Sequence, residues 1–125
     1  MSFSGETGAA AVGDLSEHFS RYEFADQRTG CAPLPQPELV ELLERLRAIR
    51  GNPVEIVSGH RCPTSNDAVG GAGDSRHLYG DAADIPAGVA TTDEAFAAGA
   101  RGVGSIDGWA THVDVRPGEP VGWSY

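Results

Sequence analysis

His77 and Asp84 stand seven positions apart in Ser75-Arg76-His77-Leu78-Tyr79-Gly80-Asp81-Ala82-Ala83-Asp84, and His112 and Asp114 stand two apart in Thr111-His112-Val113-Asp114. Two imidazoles and one carboxylate are a usual protein ligand set for a catalytic Zn²⁺, with the fourth position left to water. If residues 80–85 run as a strand, alternation puts Gly80, Ala82 and Asp84 on one face, nearly bare around the carboxylate. His77 can then fold over from the preceding loop, with Gly80 relaxing the backbone where the chain turns. In the second segment, alternation sends Val113 and Val115 to the core and leaves Ala110, His112 and Asp114 on the opposite face. On spacing alone, a hydrogen-bonded histidine and aspartate pair in the core accounts for the same residues.

The wider pattern narrows this. Ser75-x-His77-x-x-Gly80-x-Ala82-x-Asp84, then Gly102-Val103-Gly104 and His112-x-Asp114, together with Ser58-Gly59-His60-Arg61, resembles the signature of the M15 zinc peptidases, the D-alanyl-D-alanine carboxypeptidase and endolysin family, from about Leu15 to Arg116. The resemblance implies one Zn²⁺ per chain held by His77, Asp84 and His112, and hydrolysis of an amide bond. It also implies a substrate-binding role for Arg61, whose guanidinium can grip a carboxylate or polarise a peptide carbonyl by paired hydrogen bonds. Ser75 is implied as a hydrogen-bond donor to substrate; alternatively its hydroxyl only shapes the turn.

The chain departs from the family in three places. Several branches carry Glu or Asp three residues before the last histidine, where this chain has Trp109; a usual Tyr near Ile106 is missing; and His60 stands where relatives commonly have an aromatic residue. With no acid at the Trp109 position, Asp114 is the first choice for general base or for a partner that orients His112, and Asp107 is the second choice for base. His18 lies among Phe19, Tyr22 and Phe24 and is expected to be packed or exposed, not a ligand.

These residues need a scaffold. Residues 1–14 are rich in Gly, Ala and Ser without periodicity and are expected to form a flexible arm, or an attachment strap, ahead of a single domain over 15–125. Ser20 with Glu23 is a capping box that starts a short helix to about Ala25. Pro37 suits the first turn of the one long helix, in which Leu39, Leu42, Leu43, Leu46 and Ile49 recur at helical spacing until Gly51, Asn52 and Pro53 stop it. Residues 54–58 predict a strand that delivers Arg61 to the rim of the sheet. Residues 63–69 predict a short helix, and 69–74 a glycine-rich bend that lacks the Lys-Ser or Lys-Thr of a phosphate loop. Thr91 or Thr92 caps a helix to about Arg101, with Asp93 and Glu94 in its first turn. Residues 102–105 and the His112 segment predict a hairpin turning at Ile106-Asp107-Gly108. The tail from Pro117 to Tyr125 closes an edge or packs over the sheet. Few long helices and several short strands indicate an α+β fold, with a small, mainly antiparallel sheet packed against one long and several short helices, which the family fold matches.

At 125 residues the chain fits one core. Nine arginines, no lysines and a formal charge of −9 argue against nucleic acid and against anionic membrane surfaces. No apolar run suits a spanning helix, and the first residues lack the basic and apolar regions of a secretory signal. The protein is therefore expected to be made in the cytoplasm and to reach a cell wall after lysis, by particle delivery or by non-classical export. Cys31 and Cys62 are expected as two reduced thiols, with a single bridge as the alternative. The function expected is a zinc peptidase cutting peptidoglycan stem or cross-link peptides. The alternative is a non-catalytic structural or wall-binding subunit, for example of a phage-like particle attached through the arm.

Overall fold

The computed structural model describes residues 14–26, 34–62 and 76–125. Ser75, Cys31, the arm over 1–13 and the helix and glycine-rich bend expected within 63–74 lie outside the described residues. The fold is α+β. Helix α1 (Pro37–Arg50) begins with proline at its first turn and ends at Gly51, whose φ of 71° is the left-handed conformation that glycine adopts without a Cβ penalty. Its buried stripe is Leu39, Val40, Leu42, Leu43 and Leu46. Ile49, expected in that stripe, is 47% exposed, because the last turn runs past the end of the core.

A 3₁₀ turn (Arg76–Tyr79) leads through Gly80, with φ of 73°, into strand β1 (Ala82–Asp84). The strand expected from Gly80 therefore starts two residues later, since Gly80 is spent on the turn. Helix α2 (Thr92–Ala97) opens on a reciprocal cap: the Thr91 hydroxyl accepts from the Glu94 N–H at 3.1 Å, and the Glu94 carboxylate accepts from the Thr91 N–H at 2.9 Å. It stops short of Arg101, at Ala98, and Gly99 with φ of 111° turns the chain away. Strands β2 (Gly102–Ile106) and β3 (Trp109–Asp114) form the expected hairpin, with Asp107 and Gly108 both at positive φ, as a tight two-residue turn requires. Strand β4 (Val121–Ser124) then pairs parallel to β2. The sheet order is β1-β3-β2-β4, antiparallel except for that last pair.

Register divides the sheet into two functional faces. Ala83, Val113 and Val103 are aligned across three strands and belong to the hydrophobic core with the α1 leucines, Phe19 and Phe24. The next position along that row is Gly122 of β4, which lies beneath Phe96 of α2. The opposite face carries a row made of Asp84, His112, Gly104 and Trp123, and a second row made of Ala82, Asp114, Gly102 and Val121.

Four further expectations change. A register shift between Gly104 and Ser105 leaves Thr111 unpaired on β3, so Ala110 lies opposite Ser105 and sits in the core instead of sharing the His112 face. Residues 54–58 form no regular strand; they meet the sheet through one bridge, Ser58 to Asp84. The capping-box segment after Ser20 is a 3₁₀ turn (Arg21–Phe24), with the Glu23 carboxylate accepting from the Ser20 N–H at 2.7 Å. Cys62 is disulfide-bonded, against the expectation of reduced thiols. Among the described residues no helix is long and apolar enough to cross a membrane.

Candidate metal centre

His77, Asp84 and His112 converge, with one ligand atom of each lying within 4.8 Å of the others. Each arrives by a different device. Backbone bonds to residues 57 and 58 on one side and the β3 ladder on the other fix Asp84, whose N–H donates to the Ser58 carbonyl at 2.7 Å. The short 3₁₀ turn swings His77 over β1. His112 stands directly across from Asp84 on β3, so their side chains share a face.

The far nitrogen of each imidazole is already committed. His77 Nδ1 lies 2.6 Å from the Gly59 carbonyl, an acceptor only, so that nitrogen carries the proton and Nε2 faces Asp84 at 3.2 Å. His112 Nε2 lies 2.7 Å from the Asp114 carboxylate, so Nε2 carries the proton and Nδ1 faces Asp84 Oδ1 at 3.3 Å. In the neutral tautomers these bonds select, two ring lone pairs and a carboxylate oxygen point at one another. A cation satisfies all three, and each imidazole has the backing acceptor usual for a metal-ligating histidine. The donor chemistry fits Zn²⁺ or a similar borderline divalent ion.

Burial works to raise the Asp84 carboxyl pKa, but in the metal-free protein the hydrogen bonds and charge that His112 and His77 supply when the ring nitrogens facing it also carry protons outweigh it and hold the group well below the usual carboxylate range. Burial likewise opposes the charge on His112, yet Asp114 and Asp84 together raise its pKa. Asp114 is 0% exposed, and there burial is outweighed by hydrogen bonds from His112 and Arg116, which lower its pKa.

Arg61 reaches the outer oxygen of the same carboxylate, with Nη2 at 3.8 Å from Asp84 Oδ2, and its backbone N–H donates to the His77 carbonyl at 3.0 Å. It therefore stands on the rim of the cluster. Asp114 takes the opposite position. One oxygen holds the far nitrogen of His112, and the same carboxylate accepts from Arg116 Nε, Nη2 and N at 2.7 to 3.2 Å. That places it at the far nitrogen of His112 from Asp84, the geometry of a partner that orients the ligand. Asp107 is exposed at the hairpin tip, three residues along from Gly104, the partner of His112, or roughly 10 Å at about 3.3 Å per residue. The structure does not bring it into the cluster. Trp109 lies under the Arg50 guanidinium, 6.0 Å from its ring centroid. His18 is bonded instead to Glu44, Nδ1 to Oε1 at 2.6 Å.

A family model described as peptidase M15 matches residues 17–114. The chain belongs to the peptidase M15 family. The match holds every residue of the cluster and its backing acceptors, and leaves β4 outside. The chain is also 47% identical over 47 residues to the zinc D-Ala-D-Ala carboxypeptidase of Streptomyces albus G, an alignment covering 37% of this chain and 18% of that protein. This M15 chain thus spans less than a fifth of that relative's length.

Two contributors escaped the sequence reading. The first is the Gly59 carbonyl. A Cβ at Gly59 would stand 2.7 Å from Phe24 Cα, so only glycine lets this backbone pass close enough to offer its oxygen to His77. A backbone acceptor carries no side-chain signal; the glycine before His60 was the available hint. The second is Trp123, whose ring lies 5.1 Å from that of His112.

Proposed function

We propose that this M15 chain is a zinc-dependent peptidase that hydrolyses a peptide bond in peptidoglycan stem or cross-link peptides, as a carboxypeptidase or an endopeptidase. The observation that carries the reading is the convergence of three lone-pair atoms whose far sides are each pinned by an acceptor. Family membership and the zinc carboxypeptidase relative support it. One Zn²⁺ per chain is held by His77, Asp84 and His112, and when bound it supplies Lewis acidity to the scissile carbonyl and to the attacking water.

The chain's own residues do the rest. Gly59 and Asp114 keep both imidazoles in the ligating tautomer. Arg61, on the rim, orients the peptide by paired hydrogen bonds to a carboxylate or carbonyl, and its pairing with Asp84 keeps the guanidinium pointed at the cluster. Ser75 is proposed as a further donor to the peptide. The wall is reached after lysis, by particle delivery or by non-classical export, and residues 1–14 are proposed as the point of attachment to a larger particle.

The test combines elemental analysis with product detection. Protein purified without added metal is expected to contain about one equivalent of zinc, and to release peptide or D-amino acid products from purified peptidoglycan. A chelator should abolish both, and zinc should restore both. Less than about a tenth of an equivalent of zinc, with no uptake on titration, removes the metal centre. A zinc-loaded protein that never cleaves wall peptides leaves the non-catalytic subunit in its place.

A further inference from the structure

We propose that Trp123, on the last strand of the sheet, is a positioning residue for the metal centre, holding the plane of the His112 ring. The proposal rests on the metal-centre reading above and adds to it a strand that lies outside the span matched by the family model.

The argument begins with the row Asp84, His112, Gly104 and Trp123 across the face. An ordinary residue at the third position would stand between histidine and tryptophan. A Cβ on Gly104 would lie 2.7 Å from Trp123 Nε1 and 2.9 Å from a ring carbon of Tyr125, so the indole occupies the gap that glycine leaves. From there it reaches over β2 to His112, with centroids 5.1 Å apart and planes inclined at 50°. The guanidinium of Arg116 lies 5.1 Å from the indole centroid, and Arg116 is the residue that binds Asp114. Asp114, His112, Trp123 and Arg116 thus close a ring of contacts. Tyr125 meets the indole edge-on at 6.5 Å. The strand is tied at both ends, the Val121 N–H donating to the Arg101 carbonyl at 2.7 Å and the Tyr125 N–H to the Ser105 carbonyl at 2.9 Å.

The physical need is specific. Before a cation binds, His112 is held at its Cβ–Cγ bond and at the Nε2 hydrogen bond, and these two points lie nearly on one line. The ring can still turn about that line, which swings the Nδ1 lone pair off the site. His77 touches one side of the ring, with centroids 5.2 Å apart and a T-shaped geometry, and the indole supplies the opposing contact. An aromatic partner suits this task because it is broad and rigid and prefers tilted packing.

The experiment measures zinc affinity by competition with a chromophoric chelator, zinc release rates, and the visible spectrum of the Co²⁺ form. The proteins compared are wild type, Trp123→Ala, Trp123→Phe and Gly104→Ala, with circular dichroism and thermal unfolding of each apoprotein. Losing a group that orients a ligand typically costs 10- to 100-fold in metal affinity, and this indirect contact is placed at the lower end, about tenfold. Trp123→Ala is expected to fold as apoprotein, bind zinc about tenfold more weakly, release it faster and shift the Co²⁺ bands. Phe should restore most of the affinity. Gly104→Ala, which displaces the indole without removing it, should reproduce the loss. Zinc affinities of Trp123→Ala and Gly104→Ala within twofold of wild type overturn the proposal, as does an apo Trp123→Ala that is unfolded, which would make the residue a fold determinant first. A wild type that binds no zinc instead overturns the metal centre itself.

Discussion

Asp114→Asn separates two roles that the sequence leaves joined. The carboxylate is fully buried, accepts from His112 Nε2 at 2.7 Å, and accepts from Arg116 through Nε, Nη2 and the backbone. An amide of the same shape has one acceptor oxygen and one NH₂ group. If the oxygen serves Arg116, the NH₂ faces His112 Nε2, which must then give up its proton, and the ring switches to the tautomer protonated on Nδ1. That is the ligating atom. If the oxygen serves His112, the NH₂ faces a guanidinium, and a charge-assisted bond worth about 1.5–3 kcal/mol becomes a donor-donor contact. Either way zinc affinity should fall about 10- to 100-fold, or roughly 1.4–2.7 kcal/mol. The apoprotein should lose about 2 kcal/mol in urea unfolding, with the midpoint lowered and its slope unchanged. Competition against a chelator gives the first quantity. Turnover at saturating zinc gives the deciding one: an orienting residue predicts a rate near wild type once occupancy is restored. A zinc affinity within twofold of wild type refutes the tautomer argument, and a loss of roughly 10²- to 10⁴-fold in rate at full occupancy makes Asp114 the base after all.

Arg61→Lys should retain zinc and lose most of the hydrolysis, because lysine keeps the charge but not the planar pair of donors; zinc content and kcat/KM measured on the same preparation decide it, and wild-type kcat/KM would reduce Arg61 to a partner of Asp84. Gly59→Ala drives a methyl group into the Phe24 backbone and should cost about 1–3 kcal/mol in urea unfolding while weakening zinc through the displaced carbonyl; an apoprotein as stable as wild type would show that the approach is not tight. At Glu44, burial raises the carboxyl pKa, but the hydrogen bonds from Ser16 and His18 prevail and the folded value lies below the usual glutamate range. Its contribution is therefore present above the unfolded value and lost as pH falls through the folded one. Glu44→Gln should destabilise at neutral pH and converge with wild type in acid, and parallel unfolding curves across that range would refute the assignment.

The chemistry was legible because short strands alternate strictly. Asp84, His112 and Asp114 could be placed on one face from parity alone, and the leucine stripe of α1 from its helical period. Parity failed at Ala110, where one unpaired residue on β3, facing the junction of Gly104 and Ser105, moves the side chain to the core. It failed again at residues 54–58, whose alternation of buried Val54 and Ile56 with exposed Glu55 and Val57 is that of a strand, although a single bridge ties the segment to the sheet. The orientation of Asp114 was hidden for another reason. Sharing a face does not say which nitrogen of His112 the Asp114 carboxylate meets, and the 2.7 Å bond to Nε2 turns it away from the site. Trp123 was out of reach because its place depends on a parallel pairing between distant segments, a choice no local pattern encodes.

The two-faced sheet also sets which accidents of inheritance the chain can survive. Point changes on the Asp84, His112, Gly104 and Trp123 row touch the site alone, whereas gaining or losing one residue within 82–84 or 112–114 would exchange the two faces, sending a carboxylate or imidazole into the leucines and an alanine or valine to the site. Thr111 is the exception. Lying unpaired between Ala110 and His112, it could be deleted with both neighbours keeping their partners on β2, at the cost of the bond its carbonyl accepts from Ile85. Length variation among descendants of this sequence should therefore collect at that one position of the strand and be purged on either side of it.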